Sequence, residues 1–167
     1  PAGYCTVRTG GVMSLEKDEH CGAIPTTATA FSQTLEDMEK VDIVIANAGV
    51  PGDGSPIHKT SLEEWHRVLG VDLDGVFLTF RHAVDHLIDR GEGGSLVAVA
   101  STAAVHGAAN NIPYGVAKTG LLGLVRGLAV EVARHSIRVN ALSPGWTKTE
   151  MTEHGYGWDK FREATTA

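Results

Sequence analysis

Ser101, Tyr114 and Lys118 are the residues of this chain whose types and spacing could move a proton. Ser101 closes the apolar run Ser95-Leu96-Val97-Ala98-Val99-Ala100, which predicts a buried parallel strand. Tyr114 follows thirteen residues later, at the head of an apolar-periodic stretch running to Arg134, and Lys118 comes four positions on. Residues i and i+4 share a helix face, so the ammonium is expected beside the phenol. A free phenol has a pKa of about 10, too high for an efficient base near neutrality. A neighbouring cation favours phenolate and is expected to draw that value down. Ser101, delivered from the strand end, would hydrogen-bond the same substrate oxygen. The set suits proton exchange with an alcohol or a carbonyl.

The spacing alone does not single out this set, because Ser143, Tyr156 and Lys160 repeat it. Context separates the two. Tyr156 lies in His154-Gly155-Tyr156-Gly157-Trp158, where each glycine weakens a helix by roughly 1 kcal/mol. Tyr114 instead leads into a long helical pattern, and the first set is the expected site.

The elements that must position these residues are readable in part. Residues 1 to 27 carry little pattern of either period. A short helix is expected from Ala28 to Lys40, with Phe31, Leu35 and Met38 on one face, followed by a β-branched strand from Val41 to Ala46. Asn47-Ala48-Gly49 ends that strand, and the breakers between Val50 and Lys59 predict a loop. Thr60 with Glu63 and Ser61 with Glu64 form overlapping capping boxes. A helix therefore starts near Leu62 and continues, after a break around Gly70, to about Arg90, where Gly91-Glu92-Gly93-Gly94 stops it. The strand to Ser101, the Tyr114 helix and a third strand from Ser136 to Leu142 follow, ended by Ser143-Pro144-Gly145. Alternating strands and helices predict an α/β domain with a parallel sheet. Right-handed crossovers then bring Asn47, Ser101 and Ser143 to one rim, where ligands bind in such folds.

Composition narrows the function classes. The 167 residues are 43% hydrophobic and 20% charged, ordinary for a globular domain. A net charge of −6 and the lack of a basic stripe argue against a nucleic-acid partner. No apolar run reaches membrane-spanning length, so no membrane partner is expected. Cys5 and Cys21 are too few for a disulfide framework, which makes a reducing, cytoplasmic setting the expectation. Pro1 in place of Met suggests that the stretch begins inside a longer chain. His82 and His86 share a helix face, but Ala83 stands where a metalloprotease helix needs Glu, so a solvated polar face is expected and no metal site.

Taken in order, Asn47-Ala48-Gly49, Val71-Asp72-Leu73-Asp74-Gly75, Ser101, Tyr114-x-x-x-Lys118, Ile137-Arg138-Val139-Asn140 and Pro144-Gly145 with Thr149 resemble the short-chain dehydrogenases/reductases. The resemblance covers residues 41 to 150 and implies a single, incomplete, doubly wound (Rossmann-like) domain using NAD or NADP. It implies that Tyr114 is the acid/base, that Lys118 lowers its pKa and binds the nicotinamide ribose, and that Ser101 orients the substrate oxygen. Asn47, Ala48 and Gly49 would line the adenosine side of the cofactor, and Pro144, Gly145 and Thr149 its nicotinamide end. Asp72 would be a fourth catalytic member, standing where the family usually has an asparagine of the proton relay; its carboxylate would alter the charge beside Lys118. A small alcohol or carbonyl substrate is implied, and so is a homodimer or homotetramer built on the two long helices, whose Gly120, Gly123 and Gly127 would allow close contact. The family's glycine-rich phosphate turn and last strand have no counterpart. The 41–46 strand would then become an unpaired edge. The alternatives are a non-catalytic fragment or scaffold of this fold and, ranked last, a sugar-nucleotide epimerase or dehydratase.

Overall fold

The computed structural model describes residues 4–9, 12–17, 27–147, 149 and 151–152. Among these, five strands form one sheet in the order β1 (Tyr4–Thr9), β2 (Val12–Lys17), β3 (Ile43–Ala46), β4 (Gly94–Val99) and β5 (Ile137–Leu142). β1 and β2 are antiparallel, with Tyr4 opposite Lys17 and Thr9 opposite Val12. From β2 onward every pair is parallel: Val12 lies beside Ile43, Ile43 beside Ser95, and Gly94 beside Ile137. The expected α/β architecture is present. Successive strands from β2 to β5 step in one direction, which is one half of a doubly wound sheet.

Two expectations for the amino-terminal stretch are corrected. Residues 4–9 and 12–17 are strands, and β2 pairs with β3, so β3 has no unpaired edge. A strand edge presents a row of unsatisfied amides and carbonyls that favours any available partner. Six-residue segments mixing Thr, Ser and charges can supply that backbone with little apolar periodicity of their own. Tyr156, Lys160 and Cys21 lie outside the described residues.

The helices pack on the sheet through its alternating side chains. Val44 and Ala46 of β3, Leu96 and Ala98 of β4, and Ile137 and Val139 of β5 are buried in one core with Phe31, Phe80, Leu87 and Leu121. Helix α1 (Thr27–Met38) contributes Phe31. Helix α2 (Leu62–Leu69) begins where the capping box places it: the Ser61 hydroxyl accepts from the Glu64 amide at 3.0 Å. The break expected at Gly70 is instead a single π turn, Gly70–Asp74, in which the Gly75 amide reaches back to the Gly70 carbonyl. It passes directly into α3 (Gly75–Arg90), so helix is continuous from Leu62 to Arg90. Gly91, at φ +70°, ends it in the left-handed conformation that glycine adopts without penalty. A side chain at Gly94 would strike Leu87 at 2.7 Å, so its absence lets β4 start directly beneath α3.

A short turn, α4 (Ala103–His106), precedes α5 (Ile112–Val132), which closes in a 3-10 turn over Ala133–His135. Pro113 sits in the first turn of α5, where its missing amide proton costs nothing. Beyond the strand ladders, Ala100 donates to the Leu142 carbonyl at 2.8 Å and Thr102 to Pro144 at 3.0 Å. These two bonds carry β4–β5 pairing out to the rim and fix Ser101 beside Pro144.

Candidate active site

Four residues from three elements converge at the carboxyl ends of β3, β4 and β5. Ser101 follows β4; Tyr114 and Lys118 lie one turn apart on α5; Asp72 projects from the π turn. Lys118 is buried, and its Nζ donates to the Val99 carbonyl at 3.0 Å and stands 3.4 Å from Asp72 Oδ2. The same ammonium lies 5.5 Å from the centre of the Tyr114 ring, over its face. Asp72 is wholly inaccessible to solvent; its Oδ1 accepts from the Val50 amide at 2.8 Å, while Oδ2 has no hydrogen bond and only the ammonium near it.

Ser101 and Tyr114 are both half-buried. The Ser101 oxygen accepts from the Ala103 amide at 3.1 Å, which leaves its own proton free to donate. Burial pushes the Tyr114 phenol above its ordinary value; hydrogen bonding with the Ser101 side chain opposes the rise, and the Asp72 charge adds to it. The net direction is upward, against the lowering expected from Lys118. Its ammonium meets the ring face, donates to Val99 and forms an ion pair with Asp72. For Asp72, burial raises the carboxyl, opposed by the Lys118 charge, the Val50 amide and the more distant Arg67.

Asn47 is exposed just past β3, with Ala48 and Gly49 half-buried behind it. A Cβ on Gly49 would stand 3.2 Å from Lys118 Nζ and 3.3 Å from Asp72 Oδ2, so this position must stay bare for the pair to form. Pro144 is held at the rim by Thr102, and Gly145 is exposed. Thr149 is exposed and turned back on itself, its amide donating to Thr152 Oγ1 at 3.0 Å. The rim thus brings Asn47, Ser101, Tyr114, Lys118 and Pro144 to one edge.

Sequence reasoning missed the strap that follows Gly49. Val50 is bound by Asp72, the Pro51 carbonyl by Arg67 at 2.7 Å, the Gly52 amide by Asn111 at 3.1 Å and the Asp53 amide by Glu64 at 2.9 Å. Arg67 also pairs with Glu64 through Nε at 2.7 Å. Spacing on α2 shows Glu64 and Arg67 as an ordinary i,i+3 surface pair, with no sign of their loop partners. Asn111 ties the strap to the start of the tyrosine helix; a Cβ on Gly52 would strike its Oδ1 at 2.3 Å.

The paired histidines face α1, not solvent. His82 stacks on Phe31 at 6.3 Å and His86 meets it edge-on at 6.0 Å. His86 Nε2 also accepts the Val41 amide at 3.3 Å, and burial pushes its pKa down. Gly120 serves an internal contact as well, since a Cβ there would press on Leu73 at 3.1 Å; Gly123 and Gly127 face open space.

An ammonium at the rim, a bare glycine and an exposed strand-end asparagine fit the ribose and nicotinamide end of a dinucleotide. The stretch between β2 and α1, where a phosphate turn would fall, lies outside the described residues.

Comparison with known proteins finds relatives in both sequence and fold. A family model described as enoyl-(acyl carrier protein) reductase matches residues 25–167. A short-chain type dehydrogenase/reductase of Mycolicibacterium smegmatis is 42% identical over 117 residues, covering 70% of this chain and 42% of the relative. The cis-4-hydroxycyclohexanecarboxylate dehydrogenase of Sinomonas cyclohexanicum is 36% identical, covering 74% and 49%. Among solved structures, the 3-ketoacyl-(acyl-carrier-protein) reductase of Brucella melitensis, complexed with NADH, superposes with a TM-score of 0.77 at 30% identity, covering 83% of this chain and 57% of that one. The chain spans about half the length of the proteins it matches.

Proposed function

The chain belongs to the short-chain dehydrogenase/reductase family, and on that premise we propose that it interconverts an alcohol and a carbonyl with NAD or NADP, Tyr114 exchanging the proton. The observation that carries this reading is the placement of Ser101 and Tyr114 on one rim with Lys118 buried behind the ring. When bound, the nicotinamide would supply or accept the hydride. Every other role belongs to side chains of the chain. Ser101 donates to the substrate oxygen with the proton that its contact to Ala103 leaves free. Tyr114 gives its proton to that oxygen in reduction and takes it back in oxidation. Lys118 holds the ring and presents its remaining proton toward the ribose hydroxyls. Asn47, Ala48 and Gly49 line the adenosine side, while Pro144, Gly145 and Thr149 close the nicotinamide end.

The same reading includes a homodimer or homotetramer. Val116 and Val130 on α5 are exposed, the latter 81% so, alongside the open positions Gly123 and Gly127; Phe77 on α3 is 48% exposed. No helix among the described residues is long and apolar enough to cross a membrane.

The test is direct. NADH and NADPH binding is followed by nucleotide fluorescence, and turnover by nucleotide absorbance with two carbonyl probes: 4-oxocyclohexanecarboxylate and a 3-ketoacyl thioester. These are the ketones corresponding to the names of the Sinomonas and Brucella proteins. Tyr114→Phe is expected to retain nucleotide binding and lose turnover by about 10²–10⁴-fold. Failure to bind either nucleotide, or full turnover by the phenylalanine variant, would sink the reading.

A further inference from the structure

The Asp72–Lys118 contact does more than fill space. Lys118 has three protons: one goes to the Val99 carbonyl, and the ammonium otherwise faces Asp72 Oδ2 at 3.4 Å and the Tyr114 ring at 5.5 Å. Asp72 is sealed from water, and its second oxygen meets only that ammonium. The groups around the pair come from each element packed on it. The Val50 amide comes from the loop after β3, the Val99 carbonyl from β4, Arg67 (itself paired with Glu64) from α2, and Tyr114 from α5. No second anion contacts Lys118 among these, and no second cation contacts Asp72. Burial raises the Asp72 carboxyl, while the ammonium and the Val50 amide act against that rise and favour its ionised form.

We propose that Asp72 pairs off the charge of Lys118 and so keeps Tyr114 protonated, a positioning residue that sets the site to donate a proton to a carbonyl. The inference rests on the dehydrogenase reading for its chemistry but not for its electrostatics. A lone ammonium beside a phenol stabilises phenolate; an ammonium paired with a carboxylate acts on the phenol as a dipole, whose field decays faster. An amide at position 72 would leave the full positive charge of Lys118 facing the ring. The rise of the Tyr114 value under burial and the Asp72 charge runs in the same direction. Reduction then stays supplied with protonated tyrosine through neutral pH, and alcohol oxidation is pushed to more alkaline conditions.

The test reads the phenol itself. The chain has Tyr4, Tyr114 and Tyr156, so the absorbance change on phenolate formation in the full chain, minus that of Tyr114→Phe, reports Tyr114 alone. The unaltered chain is expected to ionise at or above the free-phenol value of about 10. Asp72→Asn is expected to lower the midpoint by about one pH unit, a tenfold change in ionisation constant, and to move the alkaline limb of ketone reduction with it. A midpoint unmoved or raised by the substitution overturns the proposal. So does a midpoint in the unaltered chain well below that of a free phenol, which needs no variant to fold. Because the titration needs neither nucleotide nor turnover, the two readings fail separately. A shift without ketone reduction sinks the dehydrogenase reading and supports this one, and reduction without a shift does the reverse.

Discussion

Arg90 of α3 reaches Asp42 ahead of β3 at the amino ends of the strands, and Lys118 of α5 reaches Asp72 at their carboxyl ends. Both pairs join a basic helix residue to an aspartate, and both cations also bind a backbone carbonyl, Val41 at 2.8 Å for Arg90 and Val99 at 3.0 Å for Lys118. Their surroundings differ. The Asp42 side chain is 41% exposed, and Arg90 holds its carboxyl below the usual range. Asp72 is fully enclosed, and burial outweighs its cation, so its carboxyl is raised. The same two charges thus make a partly solvated tie, shared with Lys40 and Glu92, at one end of the sheet and a costly, enclosed pair at the other. Costly pairs of this kind cluster where chemistry needs a tuned group, and at the carboxyl end Tyr114 stands beside the pair.

The largest separation of the two ends should come from removing each cation. Lys118→Met leaves Asp72 enclosed without its partner and is expected to lower unfolding free energy by about 3–5 kcal/mol. Arg90→Met, whose aspartate keeps water, should lose about 1–2 kcal/mol. Urea unfolding of both variants measures this, and equal losses would erase the distinction. Gly49→Ala tests the tight end alone: its methyl would press on Lys118 Nζ and Asp72 Oδ2, and a loss of about 1–3 kcal/mol is expected in thermal unfolding. An unchanged midpoint would mean that the pair yields freely.

The smallest effect is one of sign. A lowered carboxyl contributes stability above its unfolded value of 3.8 that is lost as pH falls through its folded value, as at Asp42. A raised carboxyl does the opposite: at Asp72 the cost of ionisation is felt above its folded value and is relieved as pH falls toward 3.8. Asp42→Asn should therefore make stability less sensitive to acid, and Asp72→Asn more sensitive. Unfolding measured from about pH 7 to about pH 2 would show slopes changing in opposite directions, that of Asp72→Asn above 3.8 and that of Asp42→Asn chiefly below it; slopes changing together would contradict the comparison.

Local signals proved legible where one residue acts on its neighbours. The Ser61 cap, the Gly91 stop and the helix running from Pro113 past Lys118 follow from spacing and chemistry alone. So does the rim, because crossover handedness fixes where the strand ends at Asn47, Ser101 and Ser143 must meet. Properties set by distant backbone were not legible. β2 is a strand because β3 offers an edge, and nothing in Val12-Met13-Ser14-Leu15 announces that. The i,i+4 spacing puts Lys118 near the phenol, but spacing cannot show that Val99 and Asp72 take the ammonium first. Enclosure, which decides the sign of the tyrosine's shift, is a property of the whole packed rim. His82 and His86 make the same point: their shared face is visible in sequence, whereas its partner Phe31, some fifty residues earlier, is not.

The claim at the centre of this account is that the rim around Ser101 and Tyr114 carries hydride chemistry. Incubating the chain with NADH deuterated at the reactive carbon and 4-oxocyclohexanecarboxylate, then locating the label by mass spectrometry and proton NMR, tests it most directly. The account predicts deuterium on the carbinol carbon of the product in the unaltered chain, and none with Tyr114→Phe. Alcohol formed without label, or labelled equally by the phenylalanine variant, would contradict it.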